Sequence, residues 1–176
     1  MAGLCAGDVQ PGPNAVGTGG KGMPRIVSDI VDVYVFRQSR NQVQFLVLRR
    51  RPDVVLGDTW QSIHGRIEPG ERAVDAALRE TEERTGLVPL KLYSADYINQ
   101  FYDHEADAIV LAPAFAVLVG AREQPHILTS EYSDYAWCDL EETVGRLPWS
   151  SQRWAARYIY DVIAMGGDEA DFYALT

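Results

Sequence analysis

The stretch Gly65 to Leu87, GRIEPGERAVDAALRETEERTGL, constrains the chain more tightly than any other. It opens as a turn-rich loop, in which Gly65 and the Pro69-Gly70 pair allow backbone angles and close approach that other residues resist. From about Ala73 the pattern becomes helical. Val74, Ala77, Leu78, Thr81 and Thr85 fall on one side at 100° per residue, and that side is expected to pack into a core. On the same wheel Glu80 and Glu83 lie about 60° apart and position 84 about 40° from position 80, so all three project towards one point outside the helix, while Glu82 points nearly the other way. A loop leading into a carboxylate-bearing helix suits a hard cation, because Mg²⁺ takes oxygen ligands from a few carboxylates, water and substrate phosphates. Arg84 stands where a third carboxylate would complete the cage.

The remainder of the chain reads as strands around this helix. RIVSDIVDVYVFR is rich in Val, Ile and aromatics with partial alternation, and VQFLVLRR follows across the polar turn QSRNQ, so the two are expected to pair. A third short strand is expected at WQSIHG. After the helix, LKLYSADYINQFY and DAIVLAPAFAVLVG read as long strands either side of the acidic loop Asp103 to Asp107, and EYSDYAWCDL as one more. Glu141 to Met165 reads as two helical segments split near Pro148. No internal repeat is visible, and the order β-β-β-α-β-β-β-α points to a mixed sheet with helices packed on it. Residues 1–22 hold many glycines and almost no bulky apolar side chain, so they are expected to form a flexible tail. Residues 23–166 are then the domain, with Met23 as a possible translation start, and 167–176 an acidic C-terminal tail.

Composition narrows the partners. With 176 residues and 47% hydrophobic content, the chain suffices for one domain with a full core. Its net charge of -9 argues against general attraction to nucleic acid or anionic membrane, so a phosphate-bearing ligand needs local help from a metal or a few placed arginines. The two cysteines, Cys5 and Cys138, give neither a disulfide framework nor a zinc spacing, which fits a reducing interior. No apolar run reaches the roughly 18 residues of a membrane helix, and no secretory signal follows the N-terminus. A cytoplasmic location is expected.

The stretch from Gly65 resembles the Nudix box, G-x5-E-x7-R-E-U-x-E-E-x-G-U with U apolar. Gly65, Glu71, Arg79, Glu80, Glu83, Gly86 and Leu87 match in register, whereas Thr81 and Arg84 depart from it. Six fixed identities at set spacing arise by chance on the order of 10⁻⁷ per start position, which sets aside an ordinary acidic helix. The similarity runs from about residue 25 to 163. Trp60 sits just before the box glycine as in many of these proteins, and Glu131 stands shortly before Trp137, where the family often places a loop glutamate that joins the metal site or acts as base. WQSIHGRIEPGE, FYDHEADAIVLAPAFAVLV, SEYSDYAWCDLEE and LPWSSQR are most similar to the branch that hydrolyses nucleoside triphosphates and dihydroneopterin triphosphate.

The resemblance implies an α/β/α sandwich with a mixed sheet and hydrolysis of a diphosphate linkage in a small phosphorylated substrate, releasing pyrophosphate. Bound metal would neutralise phosphate oxygens and make a nucleophile from water. Glu80 and Glu83 are then the expected ligands of Mg²⁺ or Mn²⁺, with Glu131 as ligand or general base and the Arg79–Glu71 pair fixing loop against helix. A dinucleoside polyphosphate hydrolase is the nearest enzymatic alternative. A nucleotide-binding module weakened in catalysis is the other, because Arg84 replaces a box glutamate.

Arg84 itself has two candidate partners. One is Glu80, four residues earlier; the other is a substrate phosphate, the favoured reading. Arg50, within the run Arg49 to Arg51, is a further phosphate candidate. His64 is a candidate contact, and Trp60, Phe101, Tyr102, Tyr132 and Trp149 are candidates to stack a base or pterin. Asp103, Glu105 and Asp107 could add a metal contact, whereas His104 and His126 carry no assignment.

Overall fold

The computed structural model describes residues 22–40, 42–127 and 129–176. The tail expected over 1–22 therefore lies outside the described residues but for its last position. The strands are β1 (Arg25–Val27), β2 (Ile30–Ser39), β3 (Gln42–Arg50), β4 (Trp60–Gln61), β5 (Ile63–Arg66), β6 (Lys91–Asp103), β7 (Ala108–Val119) and β8 (Tyr132–Cys138). The helices are α1 (Ala73–Thr85), α2 (Leu140–Arg146) and α3 (Ser150–Tyr158), the last continued by π-helical turns over Ile159–Ala164.

All eight strands join one mixed sheet. β7 runs parallel to β1 and β2 and antiparallel to β6, while β3 pairs antiparallel with β2, β4 and β8. Alternation along β2 builds two cores. Val31, Val33 and Val35 pack with Leu46, Leu48, Ala76 and Ala77 on the side of α1, whereas Tyr34 and Phe36 pack with Phe45, Tyr93, Ala155, Ala156 and Ile159 on the side of α3. A sheet covered on both faces is the expected α/β/α sandwich.

Two strands expected as continuous are divided, each because its halves pair differently. WQSIHG splits at Ser62: Trp60 and Gln61 pair with β3, whereas Ile63 to Arg66 pair with β2. RIVSDIVDVYVFR splits at Ser28-Asp29, where β1 and β2 pair with separate stretches of β7. The acidic segment 167–176, expected as a tail, forms a 3₁₀ helix over Gly167–Tyr173 and packs on β6. Lys91 pairs there with Asp171 at 2.6 Å, and the Leu175 N–H donates to the Leu92 carbonyl at 2.8 Å.

The α1 helix begins at Ala73 as the spacing predicts, but its buried face is turned from the expected one. Ala76, Ala77, Glu80, Thr81 and Thr85 are buried, with Val74 and Leu78 only partly covered. Thr81 departs from the apolar residue of the box without leaving a polar orphan, because its hydroxyl donates to the Ala77 carbonyl at 2.8 Å. Gly86 ends the helix in the left-handed region, φ 67°, where its N–H reaches the Glu82 carbonyl and a side chain would be strained.

Candidate active site

Gly65 lets α1 approach β5 closely enough to bury a carboxylate. A Cβ built on Gly65 would lie 2.3 Å from Cγ of Glu80 and 2.6 Å from its carboxyl carbon, so any side chain there would evict Glu80. Glu80 is only 4% exposed. Burial of a charge on that scale requires full pairing, and Glu80 has it on both oxygens. Oε1 accepts from the Arg66 N–H at 2.9 Å and lies 3.3 Å from Arg79 Nη1, while Oε2 accepts from Arg84 Nε at 2.5 Å.

Two arginines organise the remaining carboxylates. Arg79 grips Glu71 with a two-pronged fork at 2.8 Å on each side, donates to the Arg66 carbonyl at 2.8 Å, and draws Glu83 to 3.1 Å. The pair expected to fix loop against helix is thus present, and it raises the Arg79 pKa and lowers that of Glu71 chiefly through their shared hydrogen bonds. Arg84 spans from Glu80 to Glu131, which its Nη1 meets at 2.9 Å, and its guanidinium lies 5.9 Å from the centre of the Tyr132 ring. Burial works against this charge, but Tyr132, Glu80 and Glu131 outweigh it and hold the Arg84 pKa above its ordinary value. Arg50 Nη1 joins at 3.6 Å from the same Glu131 oxygen.

These contacts sort the residues singled out from sequence. Glu80, Arg84, Glu131 and Arg50 come together. Glu83 does not join them; its side chain is 60% exposed and tied to Arg79, so the common point projected for positions 80, 83 and 84 is not formed. Arg79 Nη1 draws Glu83 outward while Arg84 holds Glu80 inward. Trp60 is covered by the Arg146 guanidinium 4.6 Å from its ring, and Tyr102, exposed at the β6–β7 hairpin, donates to Asp107 at 2.8 Å. Asp103 accepts from the N–H groups of Glu105 and Ala106, a turn-capping role. Arg49 and Arg51 pair with the loop residues Asp58 and Asp53, since alternation along β3 sends only Arg50 to the α1 side.

His64 makes a separate polar cluster. Its Nδ1 lies 2.6 Å from Oδ1 of the fully buried Asp32, whose Oδ2 accepts from Asn99 at 2.9 Å. Burial disfavours the imidazolium, yet the Asp32 carboxylate more than compensates and raises the His64 pKa, against opposing pulls from Arg84 and Arg50. Sequence reading missed Asp32, Asn99 and the Arg66 N–H; the first signal for them is a lone Asp inside the apolar run IVDVYVF.

The carboxylates as folded do not fit a divalent ion. Both Glu80 oxygens are engaged, a guanidinium bridges Glu80 to Glu131, and among the described residues no three acidic, His or Cys side chains gather to hold a metal. A dication placed about 5 Å from Arg84 would meet a repulsion of several kcal/mol even at an effective dielectric near 20.

Two outcomes check this geometry. Gly65→Ala should destabilise the fold by about 1–3 kcal/mol, as overpacking does, in a urea titration; an unchanged midpoint would contradict the close Gly65–Glu80 contact. The Asp32–His64 pair should contribute fully below the unfolded imidazole value near 6.5 and lose its contribution as pH rises through the raised folded value. Melting temperature followed from pH 5.5 to 9 should therefore fall more for the wild type than for His64→Gln, and parallel curves would refute the pairing.

Comparison with known proteins agrees with the fold. The NUDIX domain model matches residues 28–161. A Myxococcus xanthus protein named octanoyltransferase is 36% identical over 126 residues, 70% of this chain and 34% of that protein, so the chain spans about a third of the length of that curated relative. Among solved structures, a Nudix hydrolase of Listeria monocytogenes described as putative superposes with TM-score 0.66 at 23% identity, covering 78% of this chain and 95% of that one. The Caenorhabditis elegans Ap4A hydrolase gives 0.65 at 18% identity, covering 79% and 98%. The Escherichia coli dihydroneopterin triphosphate pyrophosphohydrolase gives 0.59 at 22%, covering 77% and 94%. These neighbours do not single out one branch. With three quarters of its length matched and the box residues Gly65, Glu71, Arg79 and Glu80 interlocked as described, the chain belongs to the NUDIX domain family.

Proposed function

We propose that the protein is a pyrophosphohydrolase that cleaves a phosphoanhydride in a small nucleotide-type substrate, a nucleoside triphosphate or dihydroneopterin triphosphate, releasing pyrophosphate. A dinucleoside polyphosphate is the nearest alternative substrate. The observation that carries this reading is the convergence of Arg50 and Arg84 on one oxygen of Glu131, at 3.6 and 2.9 Å, in a Nudix scaffold. Two guanidiniums side by side offer planar donors to a diphosphate, and Arg84 Nη2 is bonded to no acceptor among the described residues.

Glu131 is 43% exposed at its side chain, and its Oε1 carries no ion pair among the described residues, so it can receive a proton from water. In the reaction that follows, water oxygen bonds to phosphorus, its proton passes to Glu131, and the phosphorus–oxygen anhydride bond breaks, with the leaving pyrophosphate carrying the electron pair. Arg84 and Arg50 meet the negative charge that Mg²⁺ or Mn²⁺ neutralises in the family at large. Glu71 and Arg79 hold the loop, and Glu80 fixes Arg84. Trp60, His64 and Tyr102 stay as candidate contacts of the substrate's ring, although none bonds to the Arg84 cluster. A cytoplasmic setting accords with Cys138 as a free, buried thiol.

A second reading, a nucleotide-binding module without turnover, is favoured by the Arg84–Glu80 ion pair, which engages a carboxylate that the box otherwise keeps for chemistry. One assay separates them. Candidate nucleotides, dihydroneopterin triphosphate and Ap4A are incubated with Mg²⁺; pyrophosphate is followed against orthophosphate for the triphosphates, and the mononucleotide products of Ap4A, which releases neither, are separated by anion-exchange chromatography. The hydrolase reading predicts turnover of at least one, and a loss of about 10²-fold in kcat for Glu131→Gln, the usual scale for a general base. Full activity in Glu131→Gln would remove it as base, and absence of turnover throughout would leave the binding module.

A further inference from the structure

We infer that the Arg84 guanidinium is the resident cation of this site, so that the protein binds the diphosphate group of its ligand without needing a divalent metal. The inference rests on the reading above only in taking the ligand to carry a diphosphate.

Position comes first. Arg84 Nε and Nη1 bridge Glu80 Oε2 to Glu131 Oε2, the place between a helix carboxylate and a loop carboxylate where a bridging cation would lie. The Arg84 side chain is only 13% exposed and the Glu80 side chain 6%, so the guanidinium is built into the wall rather than laid across it. Tyr132 closes one side with its ring and is itself held by Gln61, whose amide donates to the phenol oxygen at 3.3 Å.

Charge comes second. Arg84 and Arg50 balance Glu80 and Glu131, and Glu83 is spoken for by Arg79. A divalent ion entering here would have to displace a guanidinium already bonded to two carboxylates. An anion would not. It would meet Nη2 of Arg84 and Nη2 of Arg50, whose Nε donates to the Val55 carbonyl at 2.7 Å and whose Nη1 faces Glu131, so that each guanidinium keeps one nitrogen for a phosphate oxygen. A guanidinium thereby stands permanently where a metal would bind, and its remaining N–H groups are what it offers to phosphate oxygens.

The test measures binding. Inorganic pyrophosphate is titrated calorimetrically into the wild type in EDTA and again in excess Mg²⁺, and Mn²⁺ occupancy is followed by electron paramagnetic resonance. Wild type should bind pyrophosphate in EDTA with affinity within about threefold of that in Mg²⁺, and should show no tight Mn²⁺ site. Arg84→Gln should weaken pyrophosphate in EDTA by about tenfold or more, the scale of one charge-assisted hydrogen bond. Arg84→Glu should gain a Mn²⁺ site. Arg84→Lys, which keeps the charge, should bind pyrophosphate more nearly like wild type than Arg84→Gln does. Pyrophosphate binding that appears only with Mg²⁺, or a wild type that takes Mn²⁺ as tightly as Arg84→Glu, overturns the inference; the wild-type titrations decide even if a variant fails to fold. Metal-independent binding without hydrolysis of any nucleotide would leave this inference standing and remove the hydrolase reading. Hydrolysis with strictly Mg²⁺-dependent binding would do the reverse.

Discussion

A carboxylate buried to 4% exposure must be satisfied on both oxygens, and the way Glu80 is satisfied fixes everything around it. Gly65 leaves room for its stem, the Arg66 N–H binds one oxygen, and Arg84 binds the other. Each partner comes from a different constraint: a missing side chain on a strand, a backbone donor beside it, and a cation one helical turn on. The Arg79 fork then ties the loop from Gly65 to Glu71 onto the same helix, so the position of Glu80 is held from both ends. Glu131 is reached through Arg84, which makes the loop before β8 part of the site rather than a connection past it.

Much of this was legible in the sequence because it is local. The loop and the helix start follow from turn chemistry and periodicity within one short stretch, whereas the Glu71–Arg79 pairing came from the family resemblance. Strand identities followed from composition and alternation, the mixed sheet with packed helices from their order, and the sandwich from the family resemblance. The splitting of WQSIHG was not legible, because it depends on β2 and β3 diverging enough that one short run must pair with each in turn. Nor was the outward turn of Glu83. A wheel places residues 80, 83 and 84 together, but it contains no information on Arg79 competing for one of them. The Asp32–His64–Asn99 cluster lies across three strands far apart in sequence and became visible only once the sheet was assembled.

Substitution of the box glutamate by Arg84 therefore changes the site without dismantling it. Of the two choices weighed from sequence, the structure contains the pairing of Arg84 with Glu80; Arg84 also stands beside Arg50 with a donor to spare. An ion pair of this kind is not a simple gain in stability, because two charges lose water to form it. Its value lies in position. Removing Arg84 would leave Glu80 with an unmet oxygen in a buried place, whereas removing Glu80 would free Arg84 to move towards solvent. This asymmetry distinguishes a structural cation from a passing surface contact.

The coupling between these two side chains is accordingly the quantity on which the site depends. A double-mutant cycle of Arg84→Gln and Glu80→Gln, read by denaturant unfolding at neutral pH, measures it directly. If Arg84 is the built-in counterion of Glu80, the two substitutions should be coupled by about 1–3 kcal/mol, as side chains in one buried network are. Effects that add to within about 0.5 kcal/mol would show two independent residues and contradict the pairing.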